Sequence, residues 1–114
     1  MHDANCVFCR IAAGEIPATV IARNDHALAF RDLQPQAPTH VLVIPTRHLD
    51  SLAAAQDAAE LGAVLSLAAQ VAREEGLAES GYRVVTNVGG DGGQSVPHLH
   101  FHVLGGRQMH WPPG

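Results

Sequence analysis

The sequence predicts an α+β fold: a five-stranded, mainly antiparallel sheet with one principal helix and a short helix. Three observations point there. Apolar, β-branched runs recur at five places, two of them separated by only a short turn. A single long stretch, residues 57–76, carries a helical apolar period. A parallel sheet would need a helix between most strands, and the chain does not supply them.

The elements follow in order. Phe8 and Ile11 are early apolar anchors on a short helical turn that Gly14-Glu15-Ile16-Pro17 ends. Residues 19–22 read as a strand, Arg23-Asn24-Asp25 as a turn and residues 27–31 as the second arm of a hairpin. Pro35 and Pro38 keep residues 32–38 as a loop. His40-Val41-Leu42-Val43-Ile44 is almost continuously apolar, as in a strand buried on both faces, and Pro45 stops it. Residues 49–55 suggest a short helical turn. Asp57 and Glu60 have the spacing of a capping box, and Leu61, Val64, Leu65, Ala68 and Val71 fall on one stripe before Gly76 closes the helix. Residues 82–88 are the fourth strand and residues 98–104 the fifth. The tail, residues 105–114, is irregular through its prolines, and its lone Trp111 needs a cover from its own domain or a partner.

At 114 residues the chain is expected to be one domain, residues 1–114, with a core of its own. Hydrophobic residues make up 46% and charged residues 16%, which excludes a disordered chain. A net charge of −4 and only 7 Lys+Arg argue against a nucleic-acid surface. No apolar run approaches the roughly 18 residues of a membrane span. The first residues lack the layout of a signal peptide, so a cytoplasmic protein with reduced cysteines is expected. His2 and His26 carry no signal beyond surface polarity.

The chemistry concentrates in residues 92–104. On a strand, His98, His100 and His102 project to one face, and Leu99, Phe101 and Val103 to the other, toward a core. Imidazole titrates near neutral pH, acts as a nucleophile and binds metals. Upstream, Asn87-Val88-Gly89-Gly90-Asp91-Gly92-Gly93-Gln94-Ser95 has the glycines of a loop that turns backbone N–H groups on an anion. The bland alternative is an exposed or metal-decorated histidine strand. Cys6 and Cys9 form a Cys-x-x-Cys pair, which by itself is weak evidence for a metal and equally fits two buried thiols.

These residues resemble the histidine triad family. His98-Leu99-His100-Phe101-His102-Val103-Leu104 matches its His-x-His-x-His signature followed by two apolar residues. Pro35 to Pro45 looks like the family's second block, and Asp91 to Val96 and the tail from Gly105 to Gly114 look like its nucleoside phosphoramidase branch, the histidine triad nucleotide-binding proteins. The resemblance implies hydrolysis of purine nucleoside 5′-phosphoramidates or aminoacyl-adenylates at the α-phosphorus through a covalent nucleotidyl-histidine. His100 would attack, His102 would donate to the phosphate, and Ser95 would hydrogen-bond the leaving nitrogen, with His40 and His98 orienting the others. It implies further phosphate donors at Asn87 and the Gly93 N–H, a ribose acceptor at Asp32, and a base slot for which Phe8, Ile11, Ile16, Phe30 and Leu33 are candidates, with Phe8, Phe30 and Leu33 chosen. No cofactor is required for this chemistry. The resemblance also implies a structural zinc held by Cys6, Cys9, His48 and His98, and a homodimer in which His110 and Trp111 reach the other subunit's site. The alternative function is a nucleotide-binding interaction module with incidental hydrolysis.

Overall fold

The computed structural model describes residues 3–114; His2 lies outside them. The element order is α1 (Val7–Ala12), β1 (Val20–Arg23), β2 (Ala27–Arg31), β3 (Thr39–Pro45), a 3-10 turn (Leu52–Ala54), α2 (Ala58–Glu74), β4 (Tyr82–Val85) and β5 (Phe101–Gly105). The strands form one sheet in the order β1-β2-β3-β5-β4, and every neighbouring pair is antiparallel. The fold class is therefore the expected one. Among the described residues, no helix is long and apolar enough to cross a membrane.

The β1–β2 hairpin closes as its turn residues require. Asn24 Oδ1 accepts from the N–H groups of His26 and Ala27, both at 2.9 Å, and its amide donates to the Ala63 carbonyl of α2. The two faces of the sheet divide the molecule. Ala27, Ala29, Val41, Val43, Leu99, Phe101 and Val103 point to α2, where Val64, Leu67, Ala68 and Val71 complete one cluster. Leu28, Phe30, Leu42 and Ile44 point the other way, against Cys6, Phe8 and Cys9 of the α1 segment. The helix lies on one face and the site is built on the other.

Helix α2 departs from the sequence reading twice. Asp57 caps it as expected, with Oδ1 accepting from Ala59 N and Glu60 N. Glu60, however, does not reach back to complete the box. Its buried carboxylate takes a two-pronged bond from Arg47 Nε and Nη2 at 3.0 and 2.8 Å, a charge-assisted pairing stronger than one bond to a neutral amide. The buried stripe is Val64, Leu67, Ala68 and Val71, while Leu65 is 42% exposed, because it lies about a quarter turn off that face. The C-terminus is a Schellman motif: Leu77 N–H bonds to Ala72 O and Gly76 N–H to Arg73 O, with Gly76 at φ 75.

The last two strands are shorter than expected. β4 ends at Val85 rather than residue 88, and β5 begins at Phe101, so it contains His102 but neither His98 nor His100. The reason lies in the partners of the lead-in. Leu99 N–H bonds to the Leu49 carbonyl, and the His100 carbonyl takes the Thr86 hydroxyl at 2.7 Å, so ladder positions are filled from outside the sheet. Alternation survives without the ladder: Leu99 packs toward α2, and the three imidazoles share the opposite side.

Candidate active site

His100 is 4% exposed and borders a cavity of about 430 Å³. Its Nδ1 lies 2.7 Å from the His98 carbonyl. A carbonyl only accepts, so Nδ1 carries the proton and Nε2 keeps a free lone pair. Phe8 stands edge-on to the ring, with centroids 5.2 Å apart, and limits its rotation.

His102 belongs to a second chain of bonds. The Gln36 backbone N–H donates to His40 Nδ1 at 3.0 Å, so the neutral His40 ring is protonated on Nε2. That nitrogen lies 2.8 Å from His102 Nδ1 and 3.4 Å from Asp32 Oδ2. His102 therefore accepts at Nδ1 and carries its proton on Nε2. Burial holds His40 below the ordinary imidazole range and, with the facing His100 and His40 rings, pushes His102 down to about 4. Both rings are neutral at pH 7, one cavity ring offering a lone pair and its neighbour an N–H. Asp32, His40 and His102 also stand close enough to share an ion. The Gln36 amide opposes that: a metal on His40 Nε2 would shift the proton to Nδ1, leaving two N–H groups facing each other.

The rest of the cavity is mainly apolar. Phe8, Phe30 and Leu33 line it, together with Ser95 and Asp32. Ile11 and Ile16, the weaker candidates, line it too, and Val7, Leu42 and Val96 were not foreseen. Asn87 and Gly93 do not line it. The Asn87 amide donates to Gly92 O at 2.6 Å, and Gly93 N–H donates to Gly90 O. Both bonds shape the loop that ends at Ser95. Gly92 is compulsory there, since a Cβ would collide with the Val88 carbonyl. Gln94 braces this loop: Oε1 accepts from Gly89 N–H, and Nε2 donates to the Asp50 and Val96 carbonyls. Trp111 stands apart from the cavity and is 83% exposed. His110 is exposed, and its carbonyl accepts from Arg83.

Behind His100, Cys6, Cys9, His48 and His98 bring their donor atoms within 4.8 Å of one another. His98 Nδ1 is 3.2 Å from Cys6 Sγ, and His48 Nδ1 is 3.3 Å from Cys9 Sγ. A tetrahedral zinc site has donor–donor edges of about 3.3–3.8 Å, so the set fits. The outer nitrogens agree. His98 Nε2 donates to Pro45 O at 2.9 Å and His48 Nε2 to Asp50 Oδ1 at 2.7 Å, which turns both lone pairs on the thiols. Burial pushes the Cys9 thiol up and holds His98 near 4, so an ion bound there would displace the Cys9 thiol proton. Asp50, two residues past His48, was missed from sequence, although its spacing was there to be seen.

The sequence profile described as "HIT domain" matches residues 13–109. The chain belongs to the HIT domain family. A 14 kDa zinc-binding protein of Zea mays is 50% identical over all of this chain and 91% of its own length. An Arabidopsis thaliana relative named "Adenylylsulfatase HINT1" is 49% identical over 98% of this chain and 78% of its own. Among solved structures, a HIT family hydrolase from Legionella pneumophila Philadelphia 1 is 54% identical, with a TM-score of 0.93 over 96% of this chain and all of that one. As a HIT protein, this chain has its histidine signature in the lead-in and first residues of β5.

Proposed function

We propose that the protein is a nucleoside phosphoramidase, a hydrolase that cleaves purine nucleoside 5′-phosphoramidates or aminoacyl-adenylates at the α-phosphorus. The observation that carries this reading is the bond from His100 Nδ1–H to the His98 carbonyl, which leaves the Nε2 lone pair as the free nucleophile in the cavity. Attack forms the Nε2–P bond and breaks the P–N bond, or the P–O bond of a mixed anhydride. The ring becomes cationic, and the His98 carbonyl dipole stabilises the charge. His102 Nε2–H donates to a phosphate oxygen, and the departing nitrogen, hydrogen-bonded by the Ser95 hydroxyl, takes a proton from solvent and leaves as the neutral amine; the water that attacks next returns one proton to solvent. Water then attacks phosphorus, breaks the Nε2–P bond and releases the nucleoside monophosphate with neutral His100 restored.

The apolar walls suit a purine, and Asp32 at the polar end suits the ribose hydroxyls. The Asn87 amide and the Gly93 N–H, on the loop that carries Ser95, are the further candidate phosphate donors. The name of the Arabidopsis relative, an adenylylsulfatase, supports an adenylyl group with an exchangeable leaving group. A metal at the Cys6–Cys9–His48–His98 set would supply rigidity to the wall behind His100.

The test is to incubate the protein with adenosine 5′-phosphoramidate and follow AMP and ammonia. His100→Ala should lower turnover on the order of 10⁴-fold or more while AMP binding persists. Unchanged turnover in that variant defeats the assignment. The same reading includes a homodimer, supported by the exposed Tyr82 and Val84 on edge strand β4 and by the uncovered Trp111. A stable monomer at micromolar concentration in sedimentation would contradict it.

A further inference from the structure

The loop of residues 32–38 has two duties at the site. Asp32, Leu33 and Gln34 line the cavity, and the Gln36 N–H fixes the proton on His40. Two prolines and no regular structure leave this loop without a ladder to hold Gln36 in place. Its brace comes from the residues that follow β5. Gly106 has φ 90, and a Cβ there would come within 2.8 Å of the Pro38 ring, so only glycine lets the two segments meet. One residue on, Arg107 Nε donates to the Gln36 carbonyl at 3.1 Å, and Nη1 donates to the Gln108 carbonyl. Arg107 does not line the cavity.

We propose that Arg107 is a positioning residue of the reaction: by holding Gln36 it keeps that residue's N–H on His40 Nδ1, and so decides which nitrogen of His40 and of His102 carries the proton. The consequence follows from the bond directions. Without the Gln36 N–H, only the longer 3.4 Å approach of Asp32 Oδ2 still favours Nε2–H, and His40 takes the Nδ1–H form in part. Its Nε2 then accepts from His102 Nδ1–H, and His102 turns a lone pair instead of an N–H toward the phosphate oxygens. The two rings invert together, because the 2.8 Å bond between them admits one proton. A donor becomes a repelling acceptor at the place where charge develops. This inference rests on the phosphoramidase reading for its kinetic effect, but not for the tautomers themselves.

The experiment uses the full-length, nucleotide-free protein labelled with ¹⁵N, at pH 7.5. Two-bond ¹H–¹⁵N correlations of the wild-type protein should show His40 and His102 both protonated on Nε2. Arg107→Met keeps the aliphatic stem and removes the donor. It should give mixed tautomers at both rings and lower kcat on adenosine 5′-phosphoramidate by about 10–100-fold, within the roughly 10⁴-fold that a wrong histidine tautomer costs elsewhere, with KM nearly unchanged. Arg107→Lys retains a donor for the carbonyl and should restore the Nε2–H forms and most of the rate. The proposal is overturned if wild-type His40 is protonated on Nδ1. It is equally overturned if Arg107→Met keeps both tautomers, or if Arg107→Lys fares no better than Arg107→Met. Should the wild-type protein not turn over the phosphoramidate, the reaction assignment fails, while the tautomer measurements still decide the role of Arg107.

Discussion

Phe8 is the side chain whose truncation tests the site most directly. It lies between Cys6 and Cys9 in sequence, is 7% exposed, and meets three rings edge-on: Phe30 at 5.6 Å, His98 at 5.9 Å and His100 at 5.2 Å. Removing a buried phenylalanine side chain typically costs about 3–5 kcal/mol, and Phe8→Ala should fall in that range. Phe8→Leu keeps most of the apolar contact but loses the ring-edge geometry, whose contribution is about 0.5–1.5 kcal/mol per pair. The three pairs share one ring and are not additive, so about 1–2 kcal/mol is expected for Phe8→Leu. The assay is urea unfolding of wild type and both variants with one batch of metal, paired with turnover at a temperature where all are folded. Because the ring restrains His100, Phe8→Leu should also lower kcat several-fold. A Phe8→Ala cost below about 1 kcal/mol would show that the space refills and that this account of the packing is wrong. So would a Phe8→Leu variant indistinguishable from wild type in both readouts.

Two further outcomes are expected. His102 titrates near 4 in the folded protein and His40 below its ordinary value, against about 6.5 in the unfolded chain. Between those values the unfolded chain binds more protons, so stability should fall as pH drops from about 6.5 toward 4; a urea midpoint that holds or rises on acidification would contradict the burial of these rings. For the metal set, atomic absorption should find one zinc per chain. Asp50→Ala, which removes the 2.7 Å bond to His48 Nε2, should weaken zinc binding about 10–100-fold in chelator competition. An Asp50→Ala variant that binds as tightly as wild type would remove Asp50 from this role.

What could be read from the sequence was local. The β1–β2 hairpin, the Asp57 cap and the Gly76 stop each depend on a few adjacent residues and stand as expected. The alternation of His98, His100 and His102 against Leu99, Phe101 and Val103 also stood, though the strand carrying it was overextended at its start. Non-local partners were not legible. No residue pattern announces that Arg47 would draw Glu60 out of its capping box, or that β5 would lie between β3 and β4. The family resemblance suggested the cysteine–histidine set, but the groups that aim those ligands, Pro45 O and Asp50, act through tertiary contacts. The least legible feature is the Gln36 N–H on His40. It is a backbone group, so any residue but proline supplies it, and only the path of the chain gives it meaning.

The two-sided sheet has a consequence for how such a protein can change. In β3, Val41 and Val43 hold up the helix side, while His40 and Leu42 furnish the reactive side. A substitution at one parity taxes the scaffold, and at the other it retunes the pocket, so new ligands can be explored along the even-numbered positions of this strand while the odd-numbered ones keep the chain folded.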